Sequence, residues 1–175
     1  MAAGFEITTG SLTAGAKRLR DLGGRIKAGT RAALERLGPQ LVMIAAEEMR
    51  AAKPELHPFT VMRKGSSVPL AGGPLEAALT YRVVSSNLGP AVWFGIPASA
   101  GEINLIARVQ EHGVTIDVTP AMRGYLSSQG LHLRADTQSV VIPPRPFIAP
   151  TLRRAREGRM VRTAIVDALR EAWRG

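Results

Sequence analysis

Apolar residues recur every three or four positions along two long stretches, one near each end of the chain. Between Thr30 and Lys53 this spacing predicts an amphipathic helix whose core stripe is Ala33, Leu34, Leu37, Leu41, Ile44, Ala45 and Met49. After Pro150 the same spacing predicts a helix to about Trp173, with a stripe of Val161, Ile165, Ala168, Leu169 and Trp173. Long helices are therefore expected at both ends.

The N-terminal helical stretch contains two interruptions. Its first N-cap candidates are Ser11 and Thr13, and the pairs Gly23-Gly24 and Gly38-Pro39 lie farther along it. Glycine weakens a helix interior by about 1 kcal/mol, and proline fits best in the first turn of a new helix. We therefore expect several helical segments here, not one rod.

The middle of the chain has strand character. β-Branched and aromatic residues predict a hairpin at Tyr81–Ser85 and Ala91–Ile96, and further strands at Val114–Val118 and Ser139–Ile142. Short helices are predicted after Pro74, over Asn104–His112 with a left-handed cap at Gly113, and around Met122–Leu126. The whole predicts an α+β fold, an antiparallel sheet of about four strands packed by N-terminal and C-terminal helices.

Two segments have no sustained hydrophobic period. Residues 1–10 are predicted to be a flexible N-terminus, and residues 54–74, rich in proline and glycine, a long surface loop or arm. Neither side of that loop carries a complete core of its own. Residues 1–175 are therefore predicted to form a single domain.

Composition excludes several kinds of chemistry. The chain has 175 residues and no cysteine, which excludes disulfides, an iron-sulfur cluster, a thiolate zinc site and a thiol nucleophile. The motifs of zinc proteases, serine esterases, nucleotide-binding loops and dinucleotide-binding folds are absent from the sequence. We expect neither an enzyme nor a cofactor.

The strong positive charge leaves several interpretations open. Lysine and arginine number 23 against 14 acidic residues, a net charge of +9, and the densest group is Arg153, Arg154, Arg156, Arg159 and Arg162. This group suits contact with nucleic-acid phosphates, contact with an acidic partner surface, or simple solvation. A GC-rich genome would favour arginine in the same way. Aromatic residues for base stacking are few, at 5%.

The sequence shows no targeting signal, and this predicts synthesis in the cytoplasm. The first ten residues carry one glutamate and no basic residue, so they lack the charge order of a secretory signal. The longest strongly apolar run, Leu41–Ala46, is far shorter than the roughly 20 residues that span a bilayer. We expect no membrane partner.

Several short blocks occur in a characteristic order. They are Leu37-Gly38-Pro39, Gly73-Pro74-Leu75 with Ala78-Leu79, Val92-Trp93-Phe94-Gly95, Gln110-Glu111-His112-Gly113 and Ile142-Pro143-Pro144-Arg145-Pro146-Phe147-Ile148. In this order they resemble the tail-completion family of tailed bacteriophages over roughly residues 31–173. The series is most similar to the virion morphogenesis proteins of Mu-like phages and more distantly to HK97-type tail proteins. Pro144 and the Gln110–Gly113 block depart from the family's usual residues.

The resemblance implies a structural protein of the virion neck and tail, made in the host bacterial cytoplasm. Members form a homo-oligomeric ring, here expected to be a hexamer, at the head-proximal end of the tail. The implied partners are copies of the chain, the tail tube protein and the head-tail connector, with non-specific contact to phage DNA in the lumen. The roles of tail terminator, joining protein and assembly factor stay open, and a basic nucleic-acid-binding accessory protein is the alternative.

The candidate interaction residues belong to the last block and the basic helix after it. They are Arg145, Phe147, Arg153, Arg154, Arg156 and Arg159. Phe147 is expected to anchor the core, while Arg145 either clamps a local oxygen or contacts an adjacent subunit. Residues 54–74 and 114–137 are hypothesised to reach onto neighbouring subunits, because a ring needs a heterologous interface.

Overall fold

A computed structural model describes residues 9–52, 73–87 and 89–174. The helices are α1 (Thr9–Ala51), α2 (Pro74–Ala77), α3 (Glu102–His112), α4 (Pro120–Ser128), α5 (Ile148–Glu157) and α6 (Met160–Arg174), with a 3₁₀ turn at Ala98–Ala100. The strands are β1 (Thr80–Ser86), β2 (Gly89–Gly95), β3 (Val114–Asp117) and β4 (Ser139–Ile142). The predicted N-terminus at 1–10 and arm at 54–74 lie outside the described residues, except for the last two positions of each.

The α+β class is confirmed, with four strands in the described residues, and the arrangement of those strands differs from the single sheet expected. β1 pairs with β2, and β3 pairs with β4, in two separate antiparallel sheets of two strands each. In the second sheet Val114 lies opposite Ile142 and Asp117 opposite Ser139. Helix accounts for 65% of the described residues, so helices supply most of the packing surface.

α1 is one continuous helix, and the prediction of separate segments is wrong. It runs through both Gly23-Gly24 and Gly38-Pro39. The reason at Gly38 is tertiary: its missing side chain leaves the space that the Tyr81 ring occupies, and a Cβ there would overlap the ring. Burial of Leu34, Leu37 and Leu41 on the same face outweighs the helix penalty of the glycine-proline pair.

The chain divides into two compact units, each assembled from separate stretches of sequence. The first, here called the terminal unit, comprises Met1–Leu41, Tyr81–Phe94 and Arg154–Gly175. The second, the central unit, comprises Val42–Thr80 and Gly95–Arg153. The single domain over residues 1–175 stays a prediction.

The core of the terminal unit lies between α1 and the first sheet. Leu34, Leu37, Leu41 and Ala155 form its buried cluster, and the partly buried Val83, Val92, Phe94 and Met160 pack against it. α6 approaches α1 closely at Gly29, where a Cβ would lie 3.3 Å from the Ala168 carbonyl oxygen. Small residues at this crossing allow the two helix backbones to come together.

The C-terminal helical stretch differs from its prediction in two ways. It is two helices, because the chain turns at Gly158-Arg159, where Arg159 has a φ of +51°. Its buried stripe is Ala168 and Ala172, whereas Trp173 is 77% exposed and Leu169 is exposed. The close approach at Gly29 favours alanine at the contact and turns the larger side chains outward.

The central unit is tied together by polar contacts as well as burial. Arg50 near the end of α1 forms an ion pair with Glu76 of α2. The Asn104 amide donates to the Ile96 carbonyl at 2.8 Å, which fixes the start of α3. Among the described residues of this unit, the buried apolar ones are Ile44, Ala45, Met49, Ala52, Leu79, Ile96, Ala107 and Phe147.

The role of Gly38 predicts opposite effects for two glycine-to-alanine substitutions in α1. Gly38→Ala is expected to lower the free energy of unfolding by about 1–3 kcal/mol, because the new methyl group displaces the Tyr81 ring. Gly24→Ala, whose Cβ would have no neighbour within 4 Å, is expected to raise it by up to about 1 kcal/mol. Urea denaturation measures both, and equal effects of the two variants would contradict the packing argument.

Candidate functional site

Two of the ordered sequence blocks meet in the central unit. Gln110–Gly113 closes α3, and Ile142–Ala149 leads from β4 into α5. We call this meeting of the two blocks the motif junction. The contacts of Arg145 with Gln110 and of Phe147 with Glu111 join residues more than 30 positions apart in the sequence.

Gly113 is required at the junction for two reasons. Its φ of +71° lies in the left-handed region, where residues with a side chain are strained. A Cβ at this position would also lie 2.9 Å from the Ile142 carbonyl oxygen and 2.9 Å from the Pro144 nitrogen. Its amide caps α3 by donating to the Val109 carbonyl at 2.7 Å. Only glycine allows the end of α3 to lie this close to the proline-rich turn.

The Glu111 carboxylate caps the N-terminus of α5. One of its oxygens accepts from the Phe147 amide at 2.8 Å and from the Ile148 amide at 3.0 Å. The other accepts from the Ala149 amide at 3.0 Å. The first turn of α5 has no acidic residue of its own, so Glu111 supplies the negative charge that a helix N-terminus favours.

Every backbone amide at the start of α5 is thereby accounted for. Pro150 has no amide hydrogen, and the next amide, that of Thr151, donates to the Phe147 carbonyl at 3.3 Å. The fully buried Thr151 hydroxyl donates to that same carbonyl at 2.6 Å. No amide at this helix start depends on water for its hydrogen bond.

Arg145 has partners inside the motif junction. Its side chain is only 6% exposed, and Nη1 donates to the Gln110 amide oxygen at 3.3 Å. Its backbone amide donates to the Gln110 carbonyl. Burial lowers the pKa of the Arg145 guanidinium, because removing a cation from water disfavours its charged form. These contacts favour the local-clamp interpretation, while contact with an adjacent subunit stays a prediction.

Phe147 lies in the interior, as predicted for a core anchor. It is 1% exposed and is among the largest fully buried side chains of the described residues. Pro146 directly precedes it, and its amide and carbonyl are held by Glu111 and Thr151. The ring position is therefore fixed from both sides of its backbone.

The predicted arginine group lies on α5 and the turn that follows. Arg153, Arg154, Arg156 and Arg159 are all exposed. Thr151 and Ala155, one helical turn apart, form the buried side of α5, so the arginines occupy its remaining surface. The structure thus brings Arg145 and Phe147 together at the junction and leaves the other four at the surface.

Two structural residues are not identifiable from the sequence. Glu111 belongs to one of the ordered blocks, but its capping role is not visible there, since an acceptor on another helix leaves no local signature. Arg123 of α4 donates to the Arg134 carbonyl at 2.8 Å and to the Thr137 carbonyl at 2.9 Å. It therefore orders the loop before β4, within the segment 114–137 hypothesised to be an arm.

The described part of the chain offers neither a metal site nor a membrane span. Over residues 9–52, 73–87 and 89–174, no three histidine, aspartate or glutamate side chains are grouped so as to hold a metal ion. Within the same ranges, none of the helices has the length and apolarity needed to cross a bilayer.

Comparisons with known proteins give no relative. No protein-family model, no curated protein and no solved structure matches the chain.

The cap on α5 predicts a large effect from one exchange. Glu111→Ala is expected to lower the free energy of unfolding by about 2–3 kcal/mol, because three amides lose a charged acceptor. Glu102→Ala, which removes an exposed carboxylate in the first turn of α3, is the control and is expected to change it by less than about 1 kcal/mol. Urea denaturation of both variants makes the comparison, and a Glu111→Ala protein as stable as the control would exclude the cap as a major contributor.

Proposed function

We propose that this chain is a structural virion protein of a tailed bacteriophage, a ring-forming tail-completion or head-tail joining protein at the head-proximal end of the tail. The proposal rests on the resemblance of its ordered sequence blocks to that family. Its action would be self-association and docking to the tail tube protein and the head-tail connector, with no catalytic step.

The motif junction is the observation that carries the proposal. The two most specific blocks of the resemblance, Gln110–Gly113 and Pro143–Phe147, are distant in sequence and contact one another through Arg145, Glu111 and Gly113. Residue types at such a junction are constrained together, because each supplies the partner that another needs. A shared fold would explain why both blocks occur in one sequence. It is a better explanation of the resemblance than chance similarity of two blocks that do not touch.

Exposed large apolar side chains support assembly. In the central unit Leu105 and Ile106 of α3, Tyr125 of α4 and Val141 of β4 are exposed. Single apolar residues are ordinary on a protein surface, but neighbours on one element, such as Leu105 and Ile106, suit burial against another subunit.

A basic nucleic-acid-binding accessory protein is the second candidate. The observation that favours it is the net charge of +9, and a monomer that binds polyanions would satisfy it without any ring. The two candidates differ in assembly state, which is directly measurable.

The proposed ring predicts the mass of the particle in solution. Mass photometry of the purified chain at rising concentration is expected to show a species near 112 kDa, six copies of the 18.7 kDa chain. A different closed stoichiometry would correct the hexamer and keep the ring. A monomer at every concentration would reject the ring and favour the accessory-protein candidate.

Cross-linking tests the hypothesised arm at 54–74, which lies outside the described residues except at its last two positions. The chain has four lysines, Lys17, Lys27, Lys53 and Lys64, and the last two border or lie within this segment. In rings mixed from ¹⁴N- and ¹⁵N-labelled chains, an amine-reactive cross-linker is expected to join Lys64 of one chain to a lysine of another. Rings whose Lys64 cross-links are confined to single chains would contradict the arm.

A further inference from the structure

The positive charge of the chain is divided very unequally between its two units. The residues of the terminal unit include 14 basic and 6 acidic residues, a net charge of +8. The residues of the central unit include 9 basic and 8 acidic residues, a net charge of +1. Nearly all of the net charge therefore belongs to the terminal unit.

This division argues against nucleotide composition as the cause of the charge. A compositional bias toward arginine acts on the whole gene, so it would charge both units in proportion to their length. The central unit is the longer of the two and is almost neutral. The concentration of charge in the terminal unit is the pattern expected of a unit that meets an anionic partner.

One basic segment of this unit is the N-terminal part of α1. Residues 13–25 of this helix are exposed on nearly every side, with only Gly15 and Leu22 partly buried. Across 13–34 the helix carries six basic residues and one acidic residue, Asp21. A helix segment that is exposed on nearly every side gains little from packing within its own chain, so its basic side chains are accessible to a partner.

The basic residues of this segment form two rows along the helix. Arg18 and Arg25 are seven residues apart and lie on one side, and Arg20 and Lys27, also seven apart, lie on the other. All four side chains are exposed. Two rows on opposite sides of a narrow helix match the arrangement of the two phosphate strands that border the major groove, which admits an α-helix.

An exposed tryptophan lies beside one of these rows. Trp173 of α6 lines one groove with Arg18 and Arg25 and an adjoining groove with Arg170 and Arg174. Asp21 lines the first groove, and Asp167 forms an ion pair with Arg170 at 3.2 Å. Basic side chains thus outnumber carboxylates around the indole ring.

We propose that residues 13–27 of α1, flanked by Trp173 and Arg174, form a contact surface for the phosphate backbone of duplex DNA. The segment from Lys17 to Lys27 is about 15 Å long at 1.5 Å per residue. An equal length of duplex carries about nine phosphate charges, and the five basic side chains are enough to neutralise about half of them. The single tryptophan is too little aromatic surface for a single-strand stacking platform.

This inference rests on the nucleic-acid binding of the second candidate, for which it names the contact surface, and it does not depend on the proposed ring. A monomer would present the same segment, because every residue named belongs to the terminal unit of one chain. Failure of ring formation is read from particle mass, and failure of DNA contact is read from binding, so the two outcomes are separate.

Matched double substitutions test the surface in the full-length chain. Fluorescence anisotropy with a labelled mixed-sequence duplex of about 24 base pairs measures binding from about 50 to 200 mM salt. Arg18→Gln with Arg25→Gln is expected to weaken binding at least about tenfold and to reduce the slope of log affinity against log salt by about 2. Arg108→Gln with Arg134→Gln, two exposed cations of the central unit, removes the same charge and is expected to leave binding within about twofold.

The outcomes distinguish binding through this one surface from binding through the overall positive charge of the chain. Equal losses in the two double variants would overturn the proposal, as would no binding of the unaltered chain at the lowest salt. Tighter binding to the single strand than to the duplex would overturn the duplex assignment. A Trp93→Phe protein keeps Trp173 as its single tryptophan, so its fluorescence comes from the proposed surface. The emission of Trp173 is expected to change when duplex is added. An unchanged emission would show that Trp173 is not part of the surface.

Discussion

A single carboxylate positions the helix that leaves the proline-rich turn. No side chain in the turn from Pro143 to Pro146 can accept a hydrogen bond, and the first turn of α5 has no acidic residue, so neither segment supplies a side-chain cap for α5. Glu111 reaches from the end of α3 and binds three successive amides. Two residues later, Gly113 allows the chain to enter β3, whose first residue pairs with the last residue of β4. The two segments are thus held together on both sides of the turn, by a charged cap and by a strand pair, and the remaining contacts of the junction depend on this attachment.

Arg145 and Phe147 acquire their roles from that attachment. Because Glu111 fixes the backbone at Phe147, the ring is directed into the interior of the central unit, and the guanidinium two residues earlier meets the Gln110 amide. The same unit is nearly neutral in net charge and exposes apolar side chains on α3, α4 and β4. These are properties that suit contact between protein subunits. The terminal unit has the opposite character, with a strongly basic surface on an exposed helix, which suits an anionic partner.

Local patterns predicted the elements well, and long-range contacts explain the failures. The hairpin, β4 and the positive φ of Gly113 all follow from residues adjacent in sequence, and each was predicted within a few positions. Gly38-Pro39 was wrongly predicted to divide α1, because the space needed by Tyr81 is invisible in the helix pattern. Trp173 was wrongly placed in the core stripe, since the close approach of α6 to Gly29 selects alanine there. The distribution of the four strands over two sheets is likewise a property of pairing, which strand propensity alone does not determine.

The candidate site shows the same limit. The sequence pointed to Arg145 and Phe147 as special, but the partner that positions them is Glu111, 36 residues before Phe147.

The measurement that tests this account most directly is amide hydrogen exchange by NMR at Phe147, Ile148 and Ala149. In the unaltered chain these three amides are bound to a carboxylate and are predicted to exchange as slowly as the paired amides of β3 and β4. In a Glu111→Gln protein they are predicted to exchange much faster. Rapid exchange of all three in the unaltered chain would contradict the account.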